Sequence, residues 1–344
     1  MQRTHVNGQL RITDVGKTVT LIGWVAKRRN LGSLVFIDLR DRTGITQILF
    51  DESLTEAVKN VRNEFVLQVT GIVLERESKN PSMDTGDIEV KAHEVIVINS
   101  ANQTPFIIAD ETDALEETRL KFRYLDLRRP VLQQKLFTRA KIVKAMHEYL
   151  DDNGFIEVET PILAKSTPEG ARDYLVPSRV HPGSFYALPQ SPQQFKQLLM
   201  VAGFERYYQI ARCFRDEDLR ADRQLDFTQL DIETSFMSQD DILTMTEGLL
   251  AKVMKDVKGI DIKLPFRRFK YVEAMNKYGS DKPDTRFGLE LVDVTEIFRN
   301  SDFRAFETGL SAKGSIKAIV VDDANNYSRK DIDNLTELAK KNGS

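Results

Sequence analysis

Short runs in which apolar and polar residues alternate dominate the first hundred positions of the chain. Val, Ile, Leu and Phe recur with a period of two, and Gly, Asn and Pro separate the runs, which is typical of β-strands joined by tight turns. These runs predict a helix near 54–63 and strands at 18–25, 34–40, 45–50, 65–73 and 87–98. Five strands with one helix indicate a small Greek-key barrel of the kind that binds oligonucleotides, although other small barrels share this strand count.

The segment 34–40 carries an aromatic residue on its polar face. Because neighbouring strand residues point to opposite faces, Phe36 lies with Asp38 and Arg40, away from the apolar residues between them. Barrels that bind single-stranded nucleic acid stack bases on such rings, while basic residues such as Arg29 contact the phosphates. Phe36 would equally cover a neighbouring loop or domain, so the pattern leaves both interpretations open.

The rest of the chain mixes helical and strand-like patterns. Regular periodicity lapses between 104 and 130, which predicts a linker. Apolar residues then recur every three or four positions from Leu136 to Leu150, which predicts an amphipathic helix. A strand at 155–161 would end at Pro161. Further runs predict helices at 193–201 and 331–340 and strands at 207–214, 227–236, 291–294 and 316–321.

Composition narrows the class of protein. The 344 residues include 49 Lys and Arg, 52 Asp and Glu, and 41% hydrophobic residues, as in an ordinary globular chain of about two or three domains. No run approaches the ~20 apolar residues of a membrane span, and no signal peptide is visible, so we expect a cytoplasmic location without membrane contact. The single Cys213 excludes an internal disulfide and a cysteine-rich zinc site. Residues 1–50 hold eight basic and three acidic residues, an excess that marks either a nucleic-acid surface or a solvated face.

A polar loop between two predicted strands is the densest concentration of charge. Residues 212–223 include four arginines and four carboxylates. Arginine presents paired donors to phosphate oxygens, so fixed guanidinium groups in such a loop would bind a triphosphate. Alternatively, these charges pair with one another on an exposed hairpin. The chain has no P-loop, no dinucleotide-binding glycine fingerprint and no Gly-x-Ser-x-Gly elbow, so any phosphate chemistry would depend on arginines and carboxylates.

Several longer stretches resemble one family. The 155–161 stretch resembles motif 1 of the class II aminoacyl-tRNA synthetases, and 214–217 with 227–233 resembles motif 2. Four strings are similar to those of the bacterial aspartyl type, at 123–130, 167–174, 190–193 and 212–224. The resemblance covers essentially the whole chain. It implies an α+β protein with a five-stranded OB-fold barrel, an antiparallel-sheet catalytic domain and the start of an α/β insertion domain. The implied bounds are 1–104 for the anticodon-binding barrel, 105–134 for a hinge, 135–286 for the catalytic core and 287–344 for a partial insertion domain.

The resemblance implies the chemistry of an aspartate–tRNA ligase. ATP and L-aspartate would form an aspartyl-adenylate, and the aspartyl group would pass to the 3′ end of tRNA-Asp. The implied ATP contacts are Arg215 at the α-phosphate, Glu217 at the adenine, and Gln224. The implied aspartate contacts are Glu169, Gln193, Lys196 and Asp231. Because aspartate and asparagine are nearly isosteric, the charge of Lys196 at the side-chain carboxylate would separate them.

The resemblance also implies partners for the barrel and for motif 1. The implied anticodon residues are Arg29, Phe36, Gln47 and Glu89. Of these, Phe36 would stack on a base. A homodimer would form through 155–161, with Pro161 in the interface, and Mg²⁺ would accompany ATP. Leu31 and Ser33 resemble the version specific for tRNA-Asp rather than the version that also serves tRNA-Asn.

One family feature has no counterpart in the sequence. Motif 3 is a glycine-rich strand and helix that ends in an arginine for the ATP γ-phosphate, and 289–344 instead resembles the first part of the insertion domain that precedes it. We therefore expect a chain that stops within this insertion, lacks the metal-binding carboxylates of the family and catalyses poorly by itself. The alternatives are a non-catalytic tRNA-binding protein and a ligase of dual specificity for tRNA-Asp and tRNA-Asn.

Overall fold

The computed structural model describes residues 2–167, 169–286, 288–321 and 326–342. They divide into two units: the first runs to Ile242 and includes Leu249–Ile262, and the second comprises Leu243–Gly248 and the chain from Lys263 onward. Some positions singled out from the sequence lie outside the described residues. They are Pro168 of one family-like string, and Phe287, 322–325 and 343–344 of the predicted insertion. None of the helices in the described part of the chain is long and apolar enough to cross a membrane.

The alternating segments at the start of the chain close into a five-stranded barrel, which confirms the predicted OB fold. The strands are β1 (Thr18–Leu31), β2 (Leu34–Asp41), β3 (Gly44–Phe50), β4 (Val66–Glu75) and β5 (Ile88–Asn99). They follow the order β1-β2-β3-β5-β4, with β3 and β5 parallel and the other neighbours antiparallel. Between β3 and β4 lies α1 (Glu52–Thr55), capped by Asp51. The helix predicted at 54–63 is wrong beyond Thr55, because the following residues make only isolated turn hydrogen bonds.

The period-two pattern explains the barrel core. Val35, Ile37 and Leu39 of β2 are at most 2% exposed, whereas Phe36 and Asp38 on the opposite face are half-buried. Each fully buried aliphatic side chain contributes about 1.5–3 kcal/mol. A slip of β2 by one residue would expose this whole row, so the register is strongly specified. The pattern therefore determines which side chains of β2 reach the outer surface.

Two short helices occupy the stretch predicted as a linker. They are α2 (Glu116–Lys121) and α3 (Arg123–Asp126), and the long helix α4 (Pro130–Asp152) follows them. Proline suits the first position of α4 because its missing N–H would have no partner within the helix. The apolar spacing from Leu136 predicted this helix but not its start, since residues 133–135 are polar and interrupt the periodicity.

A three-stranded sheet lies at the centre of the remaining part of the first unit. The elements are β6 (Ile156–Glu157), β7 (Leu175–Pro177), β8 (Phe185–Ala187), α5 (Gln193–Val201), β9 (Arg206–Phe214) and β10 (Asp226–Thr234). The sheet order is β10-β9-β6, where β9 and β10 form an antiparallel hairpin and β6 runs parallel to β9. The strands β7 and β8 form a separate ladder. The predicted strands of the hairpin and the predicted helix α5 are all present.

The strand predicted at 155–161 is wrong for most of its length. Only β6 pairs with β9, and the Val158 N–H adds one more hydrogen bond, to the Tyr208 carbonyl at 3.2 Å. Residues 159–161 have no strand partner among the described residues. The ladder therefore ends for lack of a neighbour, before Pro161 could end it.

Several helices and strands complete the described chain. The sequence patterns predicted no element at α6 (Gln239–Lys258) or α7 (Tyr271–Tyr278). Ser238 caps α6 by accepting from the Asp241 N–H, and Gly259 ends the helix at φ +69°. There follow β11 (Leu291–Asp293), α8 (Arg304–Ser311), β12 (Lys317–Ile319) and α9 (Arg329–Lys341). β11 and β12 pair antiparallel. Both are shorter than predicted, because the register joins only three residues of each.

Candidate functional site

Four predicted side chains lie together on the outer face of the barrel. Arg29, Phe36, Gln47 and Glu89 come from four different strands and line one cavity of about 410 Å³. Arg29 lies directly opposite Phe36 in the β1–β2 register, and Gln47 Nε2 donates to Glu89 Oε2 at 2.7 Å. The barrel topology therefore gathers an aromatic face, a guanidinium, an amide and a carboxylate on one surface, which we call the barrel patch.

Two further residues belong to the barrel patch: Asp38, which the alternation in β2 placed on the face of Phe36, and Arg76, which was not predicted there. Arg29 Nη2 donates to Asp38 Oδ1 at 2.6 Å and to Gln47 Oε1 at 3.0 Å. Arg76 Nη2 donates to the same Gln47 oxygen at 2.7 Å. Arg29 Nε and Arg76 Nη1 are buried and make no hydrogen bond within the described chain. Burial raises the pKa of the Asp38 carboxyl, although the charges of Arg29 and Arg76 oppose this shift.

Arg76 could have been found from the pattern of β4. In the β4–β5 register Leu74 lies opposite Glu89. Side chains two residues apart on an extended chain share a face, so Arg76 lies on the face of Leu74 and hence of Glu89. The predicted strand stopped at Val73, and extending its alternation by three positions would have placed Arg76 on the barrel patch.

The loop between β9 and β10 presents a guanidinium over an aromatic ring. The Arg215 N–H donates to the Leu225 carbonyl at 2.9 Å, which closes the base of the loop. The Arg215 guanidinium lies 5.0 Å from the centroid of Phe227, and its buried Nε makes no hydrogen bond in the described chain. Glu217 and Gln224 line a cavity of about 370 Å³ together with Arg215 and Phe227. The three residues predicted to contact ATP therefore share one cavity.

The charges of this loop do not all neutralise one another. Arg212 pairs with Asp226 across the hairpin. Arg215, Arg220 and Arg223 form no ion pair with a carboxylate in the part of the chain that the structure describes. An exposed hairpin with internally paired ions, the alternative interpretation of this loop, does not describe these three side chains. Fixed cations without counter-ions attract anions.

A buried ion cluster surrounds Lys196 on α5. Lys196 Nζ lies 2.6 Å from Asp231 Oδ1 and 3.3 Å from Glu233 Oε2, both on β10. The side chains of Lys196 and Asp231 are 12% and 5% exposed. Gln229 Nε2 donates to Asp231 Oδ2 at 2.7 Å. Burial alone would lower the pKa of Lys196, but the hydrogen bonds and charges of the two carboxylates outweigh it and raise the pKa. Two carboxylates share one ammonium, so the cluster has a formal excess of negative charge.

Glu169 and Gln193, also predicted for aspartate, lie near the start of α5. Ser191 Oγ donates to Glu169 Oε2 at 2.6 Å, and Gln193 is the first residue of the helix, one turn before Lys196. No side-chain hydrogen bond joins either residue to Lys196 among the described residues. The structure thus joins Lys196 and Asp231 directly and brings Glu169 beside the segment that leads into α5.

Gln190 positions this segment and was not singled out from the sequence. It is 2% exposed, and its Nε2 donates to the Ala171 carbonyl at 3.0 Å while its Oε1 accepts from the Ala171 N–H at 3.3 Å. Its Nε2 also donates to Asp173. A buried amide bonded on both sides joins the loop after Glu169 to the start of α5. The available signal in the sequence was its position at the start of the family-like string 190–193.

Pro161 is exposed and has exposed apolar neighbours. Ile156, Ile162 and Leu163 are 48%, 49% and 53% exposed. The edge of β6 away from β9 has no strand partner among the described residues. Contiguous exposed apolar side chains beside an unpaired strand edge are typical of a surface that a partner chain covers.

The described residues supply neither a metal cage nor a nucleophilic thiol. No group of three or more His, Cys, Asp or Glu side chains among them is arranged to bind a metal ion. They therefore do not fit a metal ion held by protein ligands alone, whereas Mg²⁺ commonly binds through substrate phosphates and retains water. Burial raises the pKa of the Cys213 thiol to about 11, so the thiol stays neutral and is a poor nucleophile.

The barrel and the sheet each match a known protein family. The family of OB-fold nucleic acid binding domains matches residues 19–98, and the family of class II tRNA synthetases (D, K and N) matches residues 115–336. The chain therefore belongs to the class II tRNA synthetases of the D, K and N group. This confirms the resemblance drawn from its motifs.

Similar proteins within the family narrow the comparison. The chain is 61% identical to the aspartate–tRNA(Asp/Asn) ligase of Geobacillus sp. (strain WCH70), over 99% of this chain and 59% of that protein. It is 59% identical to the aspartate–tRNA ligase of Geobacillus kaustophilus (strain HTA426), over 100% of this chain and 59% of that protein. The chain thus spans 59% of the length of these curated relatives.

Solved structures agree at the level of the fold. Asparaginyl-tRNA synthetase from Pyrococcus horikoshii complexed with asparaginyl-adenylate is 26% identical, with a TM-score of 0.63 over 72% of this chain and 56% of that one. Entamoeba histolytica asparaginyl-tRNA synthetase is 25% identical, with a TM-score of 0.63 over 79% of this chain and 64% of that one.

Proposed function

We propose that the protein is an aspartate–tRNA ligase that activates L-aspartate with ATP and transfers it to tRNA-Asp. Family membership and two curated relatives with this activity in their names support the proposal. The observation that carries it is the buried Lys196–Asp231–Glu233 cluster on the hairpin whose loop presents Arg215. One hairpin thus contributes the two carboxylates of a charged cluster suited to an amino acid, and a cationic loop suited to a polyphosphate.

In the proposed first step, an oxygen of the aspartate α-carboxylate attacks the α-phosphorus of ATP. A new P–O bond forms, the bond to pyrophosphate breaks, and aspartyl-adenylate remains. Such a step needs orientation and charge stabilisation rather than a protein nucleophile. Arg215 would offset the charge that grows on the phosphate oxygens, with Glu217 and Gln224 on the nucleotide. Mg²⁺ would arrive with the ATP phosphates.

Lys196 would select aspartate over asparagine. Its ammonium attracts the side-chain carboxylate of aspartate, whereas the amide of asparagine carries no charge. The negative excess of the cluster suits the α-amino group, for which Glu169 and Asp231 are the proposed contacts, and Gln193 would line the amino-acid pocket. In the second step, a hydroxyl at the 3′ end of tRNA attacks the adenylate carbonyl and releases AMP.

The barrel patch would bind the anticodon. Phe36 would stack on one base, and Arg29, Gln47 and Glu89 would contact base edges or phosphates, to which we add Arg76. A ligase that serves both tRNA-Asp and tRNA-Asn is the second candidate, because the 61% identical relative carries the name aspartate–tRNA(Asp/Asn) ligase.

The remaining expectations form part of the same proposal. The protein would act in the cytoplasm as a homodimer through the surface around Pro161. The proposed domains are the anticodon-binding barrel at 1–104, the hinge at 105–134, the catalytic core at 135–286 and part of an insertion domain at 287–344.

Exchange of labelled pyrophosphate into ATP, with the chain as given, tests the activation step. Exchange that requires aspartate and does not occur with asparagine supports the proposal. A chain that exchanges no pyrophosphate and also binds neither ATP nor aspartate by calorimetry would contradict it. Charging of tRNA-Asp and tRNA-Asn transcripts separates the single-specificity ligase from the dual one. Binding of tRNA without either small substrate would favour a non-catalytic tRNA-binding protein.

A further inference from the structure

A buried ionic cluster joins the barrel to the linker. Glu64 is 6% exposed and uses both carboxylate oxygens. Arg40 Nη2 donates to Oε1 at 2.7 Å and to Oε2 at 2.9 Å, and Arg128 Nη1 donates to Oε2 at 2.5 Å. Arg40 lies on β2 of the barrel, whereas Arg128 lies between α3 and α4. Glu64 therefore bridges the two parts of the chain, and we call Glu64, Arg40 and Arg128 the junction cluster.

The backbone at Glu64 is constrained. Its φ angle is +66°, in the left-handed region that non-glycine residues rarely adopt, and its N–H donates to the Val25 carbonyl at 2.7 Å. Such a conformation is unfavourable and persists only where the surroundings determine it. The chain thus retains a strained residue at the position from which this carboxylate reaches both arginines.

On the linker side of the junction, contacts of Arg128 and Arg129 hold the chain in place. The Arg128 guanidinium lies 5.1 Å from the centroid of Trp24 in β1. Its neighbour Arg129 donates from Nε to the Ala109 carbonyl at 2.8 Å and from Nη2 to the Asp110 carbonyl at 2.6 Å. These bonds join the start of the linker to the start of α4. Arg128 of the junction cluster therefore lies in a segment that hydrogen bonds hold in place.

From there, α4 connects to the hairpin of the candidate site. Tyr208 of β9 donates its hydroxyl proton to Asp151 Oδ1 at 2.8 Å, and the Tyr208 hydroxyl oxygen lies 2.9 Å from His147 Nδ1. Arg139 Nη2 donates to Thr228 Oγ1 on β10 at 2.9 Å. Hydrogen bonds along α4 thus attach both strands of the hairpin to the helix that begins two residues after Arg128.

We infer that the junction cluster positions the barrel relative to α4 so that one tRNA molecule contacts both, and that Glu64 and Arg128 are positioning residues for tRNA. This inference rests on the proposed function. Phe36 and Arg40 lie on the same outward face of β2, so one strand carries both the barrel patch and the barrel side of the cluster. Two binding surfaces at a fixed, matched separation raise each other's effective concentration. Loosening the junction should therefore lower the affinity for intact tRNA and leave unchanged the affinity for a ligand that contacts only the barrel.

The test compares intact tRNA-Asp with its isolated anticodon stem-loop in equilibrium binding. Arg128→Gln removes the link to the linker and leaves the Arg40–Glu64 pair in place, so the barrel retains its buried charges in balance. We expect the affinity for intact tRNA to fall about tenfold, and the affinity for the stem-loop to change less than about twofold. Arg3→Gln is the matched control, because Arg3 pairs with Asp41 at 3.0 Å and forms no ion pair with the linker in the described chain.

A direct contact between Arg128 and a phosphate would give a similar loss, and Glu64→Gln separates the two explanations. This variant leaves Arg128 charged and lowers the negative charge beside it. A loss of affinity for intact tRNA but not for the stem-loop supports the positioning role. Unchanged or tighter binding of intact tRNA overturns that role. If Glu64→Gln does not fold, Trp24→Leu removes the ring beneath Arg128 and is expected to give the same selective loss.

Two other results would overturn the inference. Equal loss of both ligands in Arg128→Gln would mean that the cluster only stabilises the barrel. Equal affinity of the unaltered protein for intact tRNA and for the stem-loop would mean that no second surface contributes. Failure of the unaltered protein to bind either ligand would instead contradict the proposed function itself.

Discussion

Replacing Lys196 with methionine tests the buried cluster of the candidate site. Methionine retains an unbranched stem but removes the charge that pairs with Asp231 at 2.6 Å and Glu233 at 3.3 Å. Breaking a buried ion pair by removing one partner costs about 3–5 kcal/mol, because the remaining charge is left uncompensated in a poorly solvated site. Asp231 is 5% exposed but Glu233 is 29% exposed. We therefore expect the free energy of unfolding to fall by about 3 kcal/mol, the lower end of that range.

The chain offers a matched control in Lys252. Its Nζ also contacts two carboxylates, Asp256 at 2.7 Å and Glu148 at 3.3 Å, but its side chain is 30% exposed, against 12% for Lys196. Solvent weakens such pairs, so Lys252→Met is expected to lower the free energy of unfolding much less than Lys196→Met does. Urea titrations give both values when they are followed by hydrogen exchange of β9 and β10. Fluorescence of the single tryptophan, Trp24, reports on the barrel instead.

A second measurement addresses the role of Lys196 in binding. Calorimetry with L-aspartate and L-asparagine is expected to show that Lys196→Met loses roughly tenfold or more of the preference for aspartate, since a hydrogen bond to a charged group is worth about 1.5–3 kcal/mol. Equal losses of unfolding free energy in the two lysine variants would refute the argument from burial. An unchanged aspartate preference would refute the assignment of Lys196 to the side-chain carboxylate.

Three further predictions follow from the same structure. Phe36→Leu retains apolar volume without a ring face and is expected to weaken tRNA-Asp binding by about 1–3 kcal/mol; equal affinity in filter binding would reject base stacking. Arg215→Ala is expected to lower ATP affinity at least about tenfold by calorimetry, since it removes a charge-assisted contact, while the exposed control Arg179→Ala leaves it unchanged. Because the pKa of Lys196 is raised on folding, its contribution to stability is complete below pH 10.5, the ordinary value, and is lost as pH rises through the pKa of the folded state. In urea titrations, the difference in unfolding free energy between the native chain and Lys196→Met is therefore expected to narrow above pH 10.5. A constant difference would contradict the pairing.

The elements that local patterns predicted well are those with a single buried face. The alternation in β2 placed Phe36 and Asp38 outside the barrel core, and the structure agrees. Local pattern failed for α6, whose capping by Ser238 and Gly259 was the available signal. It also failed for the strand at 155–161. A strand extends only as far as a neighbouring strand pairs with it, so its length cannot be predicted from one segment alone.

The candidate site divides in the same way. The family resemblance pointed to Lys196 and Arg215. The sequence could not indicate that Lys196 pairs with two carboxylates while Arg215 makes no ion pair in the described chain. No site role was predicted for Gln190 or Arg76, because the role of each depends on its contacts in the fold. Gln190 contacts the Ala171 backbone, and Arg76 contacts Gln47. Such contacts join residues far apart in the chain.

The sequence by itself determined the five barrel strands, the faces they present, the helix of which Lys196 forms part and the family to which the chain belongs. These properties follow from periodicity and from residue strings, which act over a few positions. The tertiary structure decided which charges are buried, which are paired and which junction Glu64 bridges. Burial and pairing depend on distances between remote segments, and those distances exist only once the chain has folded.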